Sequence, residues 1–217
     1  IKYYRIFKTL KARQIIEENV RFQVSIPSAM ALVIGFIVRT DQLQVEPAVV
    51  AAIKRDLEKL QSSIPPKELA IQFDVCQEVV GYDGGAKIPY DDILEGSIIR
   101  IANLCDEIVD GVDVGIHLCY GDPGHKHIIE PKDLETSVSF ANGITVAANR
   151  MINFVHMAVP VNRSDEAYFQ PLENLDLPHE TRLVLGLIHY ADGLDGSKKR
   201  LLAAEKFIKE FDVATEC

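Results

Sequence analysis

The run Val112-Asp113-Val114-Gly115-Ile116-His117-Leu118-Cys119 alternates in character. One face of the extended chain carries Val112, Val114, Ile116 and Leu118, and the other carries Asp113, Gly115, His117 and Cys119. Phe22, Val24 and Ile26 alternate in the same way with Gln23 and Ser25. A sheet covered by helices on both faces reads as apolar at both parities, whereas the inner wall of an enzyme barrel admits polar groups near its catalytic end. The alternation therefore favours a barrel over an open, doubly wound sheet.

Outward from this run, apolar segments recur at Arg21 to Ile26, Leu69 to Val75, Ile152 to Met157, Leu183 to Ile188 and Phe211 to Thr215, which with Val112 to Leu118 makes six strands. Val49 to Leu60 and Ile93 to Val109 have helical spacing between them, with Leu94, Ile98, Ile101, Cys105 and Ile108 on one face of the second. A strand followed by a helix at intervals of about 30 to 45 residues requires parallel pairing, because a tight hairpin cannot hold the helix. Pro65-Pro66, Gly81 to Gly85 and Gly121 to Gly124 mark turns. The expected architecture is α/β, the greater part of one (β/α)8 TIM-barrel domain over residues 1–217.

The chain has 217 residues, 47% hydrophobic and 25% charged, which suits one globular domain. A net charge of -9 argues against broad contact with nucleic acid or an anionic membrane and leaves a small molecule as the expected partner. The longest apolar run, Ala29 to Val38, is short of the roughly 20 residues that span a bilayer. Four cysteines at spacings unlike a disulfide framework suit reduced thiols or metal ligands in a cytoplasmic protein. The start at Ile1 and the apolar strand that closes on Cys217 read as a piece of a longer protein.

Chemistry-bearing residues sit at the carboxyl ends of five strands: Asp74, His117 with Cys119, His156, His189 and Cys217. A closed barrel gathers that many strand ends around one point. His117 and Cys119 are two apart on a strand, so both project from one face and can converge on a tetrahedral ion, while Cys217 shares its parity with Val213 and Thr215. Two cysteines and a histidine form a catalytic zinc set with a fourth position open to substrate or one more ligand. Each residue alone reads as a buried thiol or a core imidazole, and it is their shared height on two strands that favours the metal.

Ile71-Gln72-Phe73-Asp74, His117-Leu118-Cys119-Tyr120, Ile188-His189 and Cys217 occur in the order seen in the catalytic barrel of cobalamin-independent methionine synthase, which the chain resembles over nearly its whole length. The run His117 to Asp133, with Gly121-Asp122-Pro123-Gly124-His125-Lys126-His127 and Glu130-Pro131-Lys132-Asp133, is similar more specifically to a group related to that enzyme and to uroporphyrinogen decarboxylase. The resemblance implies that the chain supplies the third to eighth barrel strands and lacks the first two. It also implies that His117, Cys119 and Cys217 bind zinc, that Asp74 meets a substrate amino group, and that His189 donates a proton to the leaving amine. Where the family has a glutamate ligand at the end of the sixth barrel strand, this chain has His156, an alternative fourth ligand that would make the complex neutral. Val75-Cys76-Gln77 stands where the family has Glu-Pro-Ala, so the acceptor need not be homocysteine.

The leading expectation is zinc-dependent transfer of an alkyl or methyl group from an alkyl donor to a thiol. The alternatives are a metal-independent decarboxylase or lyase and a non-catalytic barrel with a structural zinc site. His125 and His127 read equally as a solvated cluster or a substrate clamp, Asp122, Glu130 and Asp133 as helix-capping acids, and Arg163 with Asp165 as a weak anion site. Cys105 reads as helix core, and Glu216, opposite in parity to Cys217, as facing away from the metal.

Overall fold

The computed structural model describes residues 1–124 and 126–216. In chain order the elements are α1 (Lys2–Ala12), β1 (Phe22–Pro27), α2 (Ala29–Phe36), α3 (Gln42–Ser63), β2 (Leu69–Val75), α4 (Gln77–Tyr82) and α5 (Ile93–Cys105). They continue with β3 (Asp113–Leu118), α6 (Glu135–Ala147), β4 (Phe154–Ala158), α7 (Glu166–Phe169), β5 (Arg182–Ile188), α8 (Gly193–Ala204) and β6 (Asp212–Thr215). All six strands expected from the apolar pattern are present, each displaced by no more than one or two residues at an end. The helix read as Ile93 to Val109 stops at Cys105, and the chain turns back into β3 through Gly111 at φ 87°.

The strands lie in sequence order, β1-β2-β3-β4-β5-β6, and every pair is parallel. Each crossover therefore steps to the next position in one direction, whereas a doubly wound sheet reverses at a switch point. This is the winding of a barrel in an α/β sheet that is not closed: among the described residues β1 and β6 each pair with one neighbour. The edges differ from the middle accordingly. Strands β2, β3 and β4 are buried almost throughout, while β1 alternates half-buried with exposed residues and β6 is mostly exposed.

Ile71, Phe73 and Val75 of β2, Val114, Ile116 and Leu118 of β3, and Leu183, Leu185 and Leu187 of β5 form one apolar layer of the core. Side-chain caps start the helices that cover it: Ser28 Oγ accepts from the Ala31 amide at α2, and Asp92 Oδ1 from the Glu95 amide at α5, both at 2.9 Å. On the other face Gly115 is required, because a Cβ there would lie 2.0 Å from the Phe154 ring, which crosses from β4. At the amino-terminal end, Arg21 donates to the carbonyls of Pro66 and Gly111 at 2.8 Å each and pairs with Asp113 at 2.9 Å. These contacts join β1, β2 and β3 at their amino-terminal ends. No helix among the described residues is long and apolar enough to cross a membrane.

Candidate functional site

Strand register sets the site. Asp74 on β2 is the register partner of His117 on β3, and His117 is the partner of His156 on β4. The three side chains form one row across adjacent strands, and they line a cavity of about 450 Å³ with Gln23, Ser25 and Gln72. Gln72 Nε2 donates to Asp74 Oδ1 at 2.8 Å and to Ser25 Oγ at 3.4 Å, while Gln23 Nε2 donates to Gln72 Oε1 at 3.2 Å. A chain of amides thus fixes the Asp74 carboxylate from below. Gln72 was legible as a site residue, since it shares the parity of Asp74.

The rings of His117 and His156 stack, with centroids 4.3 Å apart and planes 25° from parallel. Both are buried. Burial, with the His117 ring beside it, pushes the His156 pKa down to about 3 against the pull of the Thr215 carbonyl, so His156 is a neutral imidazole. Its Nε2 is buried with no hydrogen-bond partner among the described residues.

Cys119 follows β3 directly and is buried, its amide donating to the Val75 carbonyl at 3.4 Å. His117 on β3 and Cys119 just past its end supply the imidazole and thiol that zinc prefers. Cys217, the third expected ligand, lies outside the described residues. An imidazole holds a metal close to its ring plane, and two rings stacked face to face direct their in-plane lone pairs side by side rather than at one point. The donor types of His117 and Cys119 therefore suit zinc, whereas His156 as it stands does not converge with His117 on one ion. Among the described residues no group of three or more His, Cys, Asp or Glu side chains is arranged to hold a metal.

His189 is placed apart from this row. It follows β5 directly, with its side chain 3% exposed. Its Nε2 meets the Val159 carbonyl at 2.7 Å and its Nδ1 meets Glu216 Oε1 at 2.9 Å. Glu216 is thus turned toward His189, and its Oε2 lies 3.9 Å from Nε2 of His127, whose Nδ1 is 3.3 Å from Glu130. One carboxylate links the loops after β3 and β5 to the end of β6.

Of the remaining candidates, His125 lies outside the described residues. Arg163 pairs with Asp165 at 3.0 Å and lies over the Tyr168 ring, Asp165 accepts from the Tyr168 amide, and Cys105 is core. Sequence reasoning missed Glu78 in the first turn of α4, 1% exposed behind the sheet. Burial raises its pKa to about 7 despite a hydrogen bond with Ser28. Nothing in the sequence distinguishes it from an ordinary acid near a helix start.

No family model matches the chain, and no curated protein does. Among solved structures the chain is similar to a Listeria monocytogenes protein provisionally assigned as a vitamin-B12 independent methionine synthase. The TM-score is 0.51 at 14% identity, with 94% of this chain and 59% of that chain covered. At this identity the likeness is one of fold, and the chain spans less than two thirds of that relative's length.

Proposed function

We propose that this chain is the third-to-eighth-strand portion of a (β/α)8 barrel, one domain, that transfers an alkyl group to a thiol in the manner of a methionine synthase. The observation that carries the reading is the row Asp74, His117, His156 along the cavity of a sheet wound in barrel order, with Cys119 just past the end of β3. The fold likeness to a protein provisionally assigned as a methionine synthase supports it.

In this reading His117, Cys119 and Cys217 hold zinc. Bound zinc would keep a substrate thiol deprotonated, where a free thiol of pKa about 8.5 is only a few per cent ionised at pH 7. Asp74, fixed by Gln72, receives a cationic or hydrogen-bond-donating group of the substrate. His156, neutral and stacked on His117, buttresses the ligand ring and excludes water from its face. His189 has both nitrogens against acceptors, so a proton shared with Glu216 is available at the strand ends for the leaving group. Small molecules in the cytoplasm are its partners.

Metal analysis of the purified protein tests this. About one zinc per chain is expected, lost in the Cys119→Ser, Cys217→Ser double variant because thiolates supply most of the ligand charge. Stoichiometric zinc surviving the double change would sink the site.

A further inference from the structure

A second cysteine stands beside the proposed ligand. Val75 and Leu118 are register partners at the ends of β2 and β3, and the residues that follow them are Cys76 and Cys119. The ladder continues through this step, since the Cys119 amide donates to the Val75 carbonyl. Neighbouring strands lie about 4.8 Å apart, inside the roughly 4.4–6.8 Å range of Cα separations that a disulfide spans. Cys76 follows β2 at the start of α4 and Cys119 follows β3, so the two thiols stand at adjacent strand ends. The Cys76 sulfur also packs against the turn just beyond Cys119, 3.2 Å from where a Cβ on Gly121 would sit. Cys76 is half-buried and Cys119 is 3% exposed. Cys105 is fully buried in the core.

We propose that Cys76 and Cys119 are an oxidative modification site, a thiol pair that hydrogen peroxide converts to a disulfide. The more exposed thiol reacts first. Cys76 attacks one peroxide oxygen, the O–O bond breaks, and Cys76 becomes a sulfenic acid with release of one water. The Cys119 thiolate then attacks the Cys76 sulfur, the S–S bond forms, and hydroxide leaves and takes the Cys119 proton as a second water. Two thiols lose two hydrogens and one peroxide is reduced to two waters. The effect on zinc rests on the reading of Cys119 as a ligand: a sulfur in a disulfide carries no thiolate charge, so the two states of Cys119 exclude each other.

The test is peptide mapping by mass spectrometry of the purified, reduced protein. Metal-stripped and zinc-loaded samples are treated with equimolar hydrogen peroxide and then alkylated. A linked Cys76–Cys119 peptide, two hydrogens lighter than the sum of its parts, is expected in the stripped protein. Dithiothreitol should reverse it, and the Cys76→Ser variant should lack it. Cys76 recovered as sulfinic or sulfonic acid, alkylated, or joined to another cysteine would overturn the proposal. Zinc should slow the linkage at least ten-fold. Equal rates with and without zinc, the disulfide still forming, would count against the zinc reading and leave the thiol pair standing.

Discussion

His156 on the concave face and Glu78 behind the sheet are both buried ionisable side chains with one atom lacking a hydrogen-bond partner among the described residues. Each is driven to its neutral form, from opposite directions. Burial pushes the His156 pKa down to about 3 from 6.5, with His117 adding to the shift, and raises that of Glu78 to about 7 from 4.5. The surroundings differ. His156 lies against another imidazole beside a cavity. Glu78 lies near an Arg100–Glu46 pair closed at 2.6 Å, with Arg100 in turn over the Tyr90 ring. A closed ion pair needs nothing more from its neighbours, whereas a neutral stacked ring beside a cavity still has a lone pair to offer. On this contrast the concave row has polar groups to offer at a cavity, and the Glu78 cluster is part of the scaffold.

The two shifts act on stability in different pH windows. A histidine whose folded pKa is depressed leaves the unfolded chain to bind the proton first. Stability from His156 is thus complete above pH 6.5 and is lost as pH falls toward 3, about 5 kcal/mol over the full span. In metal-stripped protein His156→Phe should remove that acid sensitivity. Urea unfolding at pH 7 and pH 4.5 that shows the same slope in both proteins would break the comparison. Glu78 does the reverse. Its unfolded form ionises first, so stability falls as pH rises from 4.5 through 7 and then levels off, a loss of about 3 kcal/mol. Glu78→Gln should flatten the profile between pH 5 and pH 8 and be the more stable protein at pH 8. A variant no more stable than the parent at pH 8 would show that Glu78 is not the titrating group.

Periodicity located the strands well because one face of β2, β3 and β4 is continuously apolar and packs into the core. Alternation correctly put His117 on the polar face that lines the cavity. The partners of His189, one residue past the end of β5, were not legible. The turn of Glu216 toward His189 was not legible either. Alternation fixes direction only inside a strand, and Glu216 lies one residue past β6, beyond a register shift between Leu185 and Ile188. Glu78 escaped for a different reason: its burial comes from α2 and α5 packing over α4, contacts between segments distant in sequence.

The smallest expected effect separates two roles for His156 itself. If the ring buttresses His117 by stacking, a flat apolar ring should do as well, and His156→Phe should keep zinc. His156→Ala removes the support and should weaken zinc retention by about ten- to a hundred-fold, the usual cost of losing a group that orients a ligand. If His156 is instead the fourth ligand, having left the stack to bind, Phe and Ala should weaken retention alike, and His156→Glu should keep the metal by restoring a carboxylate. Competition of each variant against a chromophoric chelator reads the affinities directly, and a thermal melt beside it reports whether the fold survives. Equal zinc loss in His156→Phe and His156→Ala, with both still folded, would rule out the buttress. Retention in Phe with loss in Ala would sharpen the contrast with Glu78, because it would tie the neutral buried imidazole to the site through its shape and not through its lone pair.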